Sequence, residues 1–143
     1  MHSLMENTKI TQVMANQTAA TSSKGSSVID MEGYDGVVFV GSLSVGHAAN
    51  NYIKGQQGTT STTTNFADLL GTKIQSTASA LQLWLDIYRP RERFVRAVVI
   101  RATSSVIYPM WAIQYNGSKM PIDNTTAGTI IGEVHVEPAE GTA

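Results

Sequence analysis

Leu81 to Tyr88, read as LQLWLDIY, constrains the fold more than any other stretch of this chain. Leu81, Leu83, Leu85 and Ile87 alternate with Gln82, Trp84, Asp86 and Tyr88. Successive side chains of a β-strand point to opposite faces, so this alternation specifies a strand with one dry face and one amphipathic face. A dry face needs a partner layer. RPRER follows as a proline-containing turn, and FVRAVVIRAT reads as a return strand, so the pair is expected to form a hairpin.

The rest of the chain follows the same pattern. Val37 to Val40 is a short apolar β-rich run behind the turn dipeptide Asp35-Gly36, as expected of a strand in a sandwich core. VIYPMWAIQYNG and GTIIGEVHVEP read as two further strands, and Tyr52-Ile53 and TTSTTT as brief ones. GQQG reads as a flexible loop, and NFADLL as one turn. The sum is about seven or eight short strands with turn signals between them and no amphipathic helix of ten residues. That spacing predicts an all-β fold: a single-domain antiparallel β-sandwich, jelly-roll-like, with an N-terminal arm. The flexible arm is residues 1–27, read with one short strand around its β-branched Ile10 and Val13, where TAATSSKGSS offers little apolar surface and order depends on docking; the sandwich domain is residues 28–143.

Composition narrows the function. With no cysteine in 143 residues, disulfides, thiol nucleophiles and thiolate metal sites are excluded together. The start lacks a basic n-region with an apolar run, and no apolar stretch approaches a membrane span, so a soluble protein made without export is expected. His2, His47 and His135 have no spacing that would put two nitrogens on one metal, and His135 reads as a structural strand residue. GQQGTT lacks the Lys-Ser/Thr of a phosphate loop, and VGSLSVG lacks a strand-to-helix elbow. No catalytic residue, cofactor or metal is therefore assigned, and an enzyme is not expected.

One feature is concentrated. All five arginines, Arg89, Arg91, Arg93, Arg96 and Arg101, fall between Tyr88 and Thr103 in a chain of net charge −1. A single-strand nucleic-acid platform would need an overall basic domain, whereas the five lysines are scattered, so neither nucleic acid nor membrane is expected as a partner. Arginine forks suit carboxylates and carbonyls. Arg89 and Arg91 read either as interface residues or as a solvated turn paired with Asp86, Glu92 and other local acids. Arg96 and Arg101, on opposite faces of the return strand, read as satisfied at a buried edge or subunit interface. With Trp84 and Tyr88 these five arginines are the interface candidates.

VIDMEGYDGVVFVGSL (Val28 to Leu43), LWLDIYRPRERFVRAVVIRAT (Leu83 to Thr103) and WAIQYNGSKMP resemble, in that order, small virion structural proteins of tailed bacteriophages. The resemblance spans roughly residues 28–121 and implies a late structural product. Among parts of this size it is most like a capsid decoration (cement) protein, a class that often uses β-sandwich or jelly-roll subunits as trimers. It implies the major capsid protein as partner, a homotrimer, and a place on the capsid surface of the virion after synthesis in the host bacterial cytoplasm. Tail, neck or head-completion parts are the alternative assignments. A carbohydrate-binding jelly roll, with Trp84, Tyr88, Trp111 and Tyr115 stacking on sugars, is the rival from another class.

Overall fold

The computed structural model describes residues 3–46, 51–122, 124, 132–137 and 139–140. Among these, twelve strands form: β1 (Thr8–Met14), β2 (Gln17–Ala20), β3 (Lys24–Gly25), β4 (Ile29–Asp30), β5 (Tyr34–Ser42), β6 (Asn51–Gly58), β7 (Ala67–Asp68), β8 (Ile74–Gln75), β9 (Gln82–Tyr88), β10 (Phe94–Arg101), β11 (Ser105–Ile107) and β12 (Met110–Gly117). Helix α1 (Leu4–Asn7) and a 3-10 turn at Thr63–Asn65 are the only helical pieces among the described residues.

The strands build an antiparallel sandwich. One sheet has four strands in the order β1-β12-β5-β9. The other has six: β10 and β6 pair along their full lengths, β3 and β4 flank β10, and β7 and β8 flank β6. A two-stranded piece, β2 with β11, closes one end. Val37, Phe39, Leu83, Leu85, Ile87, Met110 and Ala112 from the first sheet meet Ile53, Val95, Ala97 and Val99 from the second in a single core. Phe39, Ile53, Val95 and Val37 are wholly inaccessible to solvent. The all-β reading is met, and β9 matches its sequence pattern residue for residue, with 83, 85 and 87 buried and 82, 84, 86 and 88 exposed.

Five local expectations change. β9 and β10 do not form a hairpin, because each belongs to a different sheet and RPRER is the corner between them. Both strands carry an apolar inner face, and placing them on opposite layers turns those faces toward each other, which a flat hairpin cannot do. Arg89 makes the corner: its backbone N–H gives the last ladder bond to the Asp35 carbonyl, 2.7 Å away, and its φ of 50° then takes the chain out of the sheet plane. GQQG is strand, not loop. A side chain at inward-facing Gly55 would come within 2.8 Å of the Ile87 Cδ1, so this glycine marks a close approach of the two layers.

TTSTTT has no strand beside it and runs exposed into the 3-10 turn. VIYPMWAIQYNG divides at Tyr108-Pro109 into β11 and β12, proline lacking the N–H a continuous ladder requires. Gly132 to Glu137, the described part of the last expected strand, is not paired. His135 lies there, exposed, with its Nε2 2.9 Å from Glu133. His2 and His47 lie outside the described residues.

The N-terminal segment, read from composition as an arm whose order depends on docking, is docked on the chain's own strands. β1 pairs with β12 from Thr8 opposite Tyr115 to Met14 opposite Met110, and β3 pairs with β10. Val13 and Met14 enter the core.

Candidate interaction surface

Residues directly opposite each other in an antiparallel sheet share a face, so the register of the four-stranded sheet defines its outer surface. One row across it reads Trp84, Val40, Trp111, Gln12; the next reads Asp86, Val38, Ile113, Ile10; the third reads Tyr88, Gly36, Tyr115, Thr8. Eight of these twelve are aliphatic or aromatic. Trp84, Tyr88 and Trp111 are 66%, 55% and 40% exposed, while Val38, Val40, Ile113 and Tyr115 are half-buried between them. Contiguous apolar sheet faces are rare on free monomers, which makes this face the candidate interaction surface. Helix α1 crosses one corner, where Thr8 is buried and its hydroxyl donates to the Leu4 carbonyl at 2.8 Å.

Gly36 shapes the third row. Tyr115 lies flat across it, so close that a Cβ there would sit 2.2 Å from the Tyr115 Cζ. From this position the Tyr115 ring stacks with Tyr88, centroids 6.4 Å apart and planes within 6°, and its hydroxyl donates to Asp86 Oδ1 at 2.7 Å. Burial, then the Asp86 carboxylate, holds the Tyr115 phenol well above its ordinary pKa. Asp86 is the only ionisable side chain in the three rows besides the two tyrosines, and this hydrogen bond engages it.

The five arginines separate. Arg101 is 4% exposed and fully engaged: Nε donates to the Ser22 carbonyl (2.9 Å), and Nη1 to the carbonyls of Thr18 (2.8 Å) and Ser105 (2.8 Å). It ties β10 to β2, to β11 and to the 20–23 turn. Arg96 donates to Gln56 Oε1 at 2.8 Å, lies over Gly25 and sits 5.1 Å from the Phe66 centroid. Arg93 grips Asp30 with two bonds of 2.8 and 2.7 Å and also pairs with Glu32. That bidentate contact is the first cause of the lowered Asp30 carboxyl pKa.

Arg89 covers the Tyr88 ring at 5.2 Å, at the edge of the aromatic face, and is not paired with Asp86 or Glu92. Arg91 holds position by its backbone N–H, which donates to Gln57 Oε1 at 3.2 Å, and its side chain has no acidic partner among the described residues. An open hollow of about 420 Å³ lies at this corner, lined by Arg89, Arg91, Arg93 and Tyr34 among others.

The predicted set therefore comes together only in part. Trp84, Tyr88 and Arg89 share the outer face or its rim; Arg91 is at the adjoining corner; Arg93, Arg96 and Arg101 serve the six-stranded sheet. Trp111, Val38, Val40 and Ile113 complete the face. The alternation of β9 was readable, but which strands are its neighbours was not, and the rows depend on that order.

No family model and no curated protein matches this chain. Among solved structures, it is similar to the SPBc2 prophage-derived protein YomS, with a TM-score of 0.45 at 14% identity, over 76% of this chain and 92% of that one.

Proposed function

We propose that this chain is a bacteriophage virion structural protein, a capsid decoration protein that binds the outer shell through the exposed face of its four-stranded sheet. The observation that carries the reading is the apolar surface centred on Trp84, Val40 and Trp111, whose burial against a partner would remove two tryptophans from water at once. Large aromatic side chains on a rigid sheet are the groups that anchor protein interfaces, and Arg89 at the rim adds a directional donor. The bacteriophage assignment itself rests on the three sequence phrases between Val28 and Pro121. Many copies bound side by side add weak contacts together, and in this role the protein's product is an interface and not a reaction.

The test is a Trp84→Ser/Trp111→Ser double variant. Both residues lie on the solvent side, so the far-ultraviolet circular dichroism and melting behaviour are expected to stay near wild type while occupancy on purified particles is lost. Electron microscopy of particles carrying the wild-type protein is expected to show its density on the outer shell. Density at the tail or neck would overturn the decoration role.

A second reading has one specific observation behind it. Trp84 and Trp111 flank Val40 in one register row, two strand spacings or roughly 10 Å apart, a flat platform on which sugar rings stack. Glycan-array binding by the isolated protein, lost in the same double variant, would favour it.

A further inference from the structure

The two edges of the four-stranded sheet are finished differently. At β1 the edge is capped. Asn124 accepts from the Ile10 N–H at 2.8 Å through Oδ1 and donates through Nδ2 to the carbonyls of Met5 (2.8 Å) and Thr8 (2.9 Å), and the Ser27 N–H takes the Val13 carbonyl at 2.8 Å. At β9 the edge is open. The ladder to β5 is closed at its ends by Leu43 N–H to the Leu81 carbonyl and Arg89 N–H to the Asp35 carbonyl, so the odd-numbered residues of β9 bond to β5. Gln82, Trp84, Asp86 and Tyr88 therefore turn their N–H and C=O groups outward. None of these groups has a hydrogen-bond partner among the described residues.

Exposed edges are ordinarily blunted by lysine, proline, a bulge or short length. β9 has seven residues, an unbroken register, no lysine and no proline. Its open edge faces a groove of about 450 Å³ whose far wall is Gly71, Thr72, Ile74 and Gln75 and whose near wall includes Leu83 and Leu85. Such a groove, backbone donors and acceptors along one side and leucines beneath, has the chemistry to take one extended polypeptide strand.

We propose that β9 accepts the C-terminal segment Gly132–Glu137 of a second copy of this chain as an added antiparallel strand. The segment, GEVHVE, alternates valine with charge, and Val134 and Val136 are exposed in the single chain, Val136 at 84%. Antiparallel pairing with His135 opposite Asp86 puts Val134 and Val136 on the leucine side of the groove. On the outer face it sets the His135 imidazole beside the Asp86 carboxylate and Glu133 beside Tyr88 and Arg89, which has no carboxylate partner of its own among the described residues. The segment departs from the β1 side, where Asn124 is fixed, and eight steps of chain reach roughly 26 Å when extended. Tail on one side and acceptor on the other make the contact head-to-tail, which gives a ring where the rotation between copies closes and an open filament where it does not. This holds whether or not the outer face binds a capsid.

Light scattering on the full chain tests it. Wild type is expected to be an oligomer, and Val134→Asp/Val136→Asp a monomer with the wild-type far-ultraviolet circular dichroism, because both valines are exposed in the single chain. Trp84→Pro removes an N–H that points off the sheet, so it spares the β5 ladder and blocks the added strand, whereas Trp84→Ala keeps the N–H. Trp84→Pro is expected to be a monomer and Trp84→Ala to stay assembled. A monomeric wild type overturns the proposal, as does a valine double variant of unchanged mass. Equal dissociation in the two Trp84 variants would also overturn it, since it would assign assembly to the indole. If Trp84→Pro fails to fold, the valine variant decides alone.

Discussion

On the outer face of the six-stranded sheet, Lys54 is paired with Asp68, Gln56 bonds Asp68 and Arg96, Arg93 holds Asp30, and Lys73 sits 4.4 Å over the Tyr52 ring. On the outer face of the four-stranded sheet, Trp84 and Trp111 stand in solvent and Asp86 is the one carboxylate in the three register rows. Both sheets use the same inner chemistry, aliphatic side chains meeting in one core. They differ in whether the outward side chains find partners within the chain. Where they do, the surface is complete; where they do not, what is left over is apolar, and apolar area exposed in the monomer is free energy available to a partner.

Arg101 breaks the satisfied side most severely. Replacing it by alanine leaves the carbonyls of Thr18, Ser22 and Ser105 without their donor and opens a void at the end of β10. A loss of about 3 kcal/mol in unfolding free energy is expected by denaturant titration. Arg101→Lys keeps the charge, yet a single ammonium cannot span three carbonyls in one plane, and it is expected to recover less than half of that loss.

Gly36→Ala probes the aromatic side with a smaller effect. The new Cβ forces the Tyr115 ring off the strand, separating it from Tyr88 and from Asp86, at a cost of about 1 kcal/mol. The distinguishing readout is spectroscopic. A phenol whose pKa is raised by burial stabilises the fold below its unfolded value near pH 10, and that contribution fades above it. In the variant, ultraviolet titration is expected to show one tyrosine returning toward the ordinary range.

Much of this architecture was legible in the sequence. β9 is the clear case, since alternation depends only on the strand's own residues and their two environments. β5 was legible for a different reason, as a short β-rich apolar run behind the Asp35-Gly36 turn. The corner between β9 and β10 was not, because Tyr-Arg-Pro-Arg suits a turn within a sheet as well as a corner between sheets; the choice is made by the core, which gathers Leu85 and Ile87 of one sheet with Ala97 and Val99 of the other. The glycines of β6 misled in a similar way. Gly55 looks like freedom in the sequence and is a contact in the structure, its missing side chain filled by Ile87 and Leu69. For the candidate surface, Trp84, Tyr88 and Arg89 were found from period and position. Val38, Val40 and Ile113 became part of it only when β5 proved to lie between β9 and β12.

The smallest expected effect separates the two faces by acid. Arg93 holds the Asp30 carboxyl below its ordinary pKa, and Lys54 followed by Gln56 does the same for Asp68. Each depressed pKa contributes stability that is present above the unfolded value near pH 4 and is lost as pH falls through the folded one. Both groups belong to the six-stranded sheet and both are solvent-screened, so the loss is expected to be a fraction of the Gly36→Ala effect and to shrink further in high salt. Denaturant midpoints measured from neutral pH down into the acid range should fall gently below about pH 4 in wild type. In Arg93→Ala the starting midpoint should be slightly lower and the acid slope shallower, with the Asp68 contribution remaining. The Trp84→Ser/Trp111→Ser variant, altered on the other sheet, should follow the wild-type slope. If that variant instead lost its acid dependence, the two faces would be electrostatically coupled through the core, and the division between a completed sheet and an unfinished one would not hold.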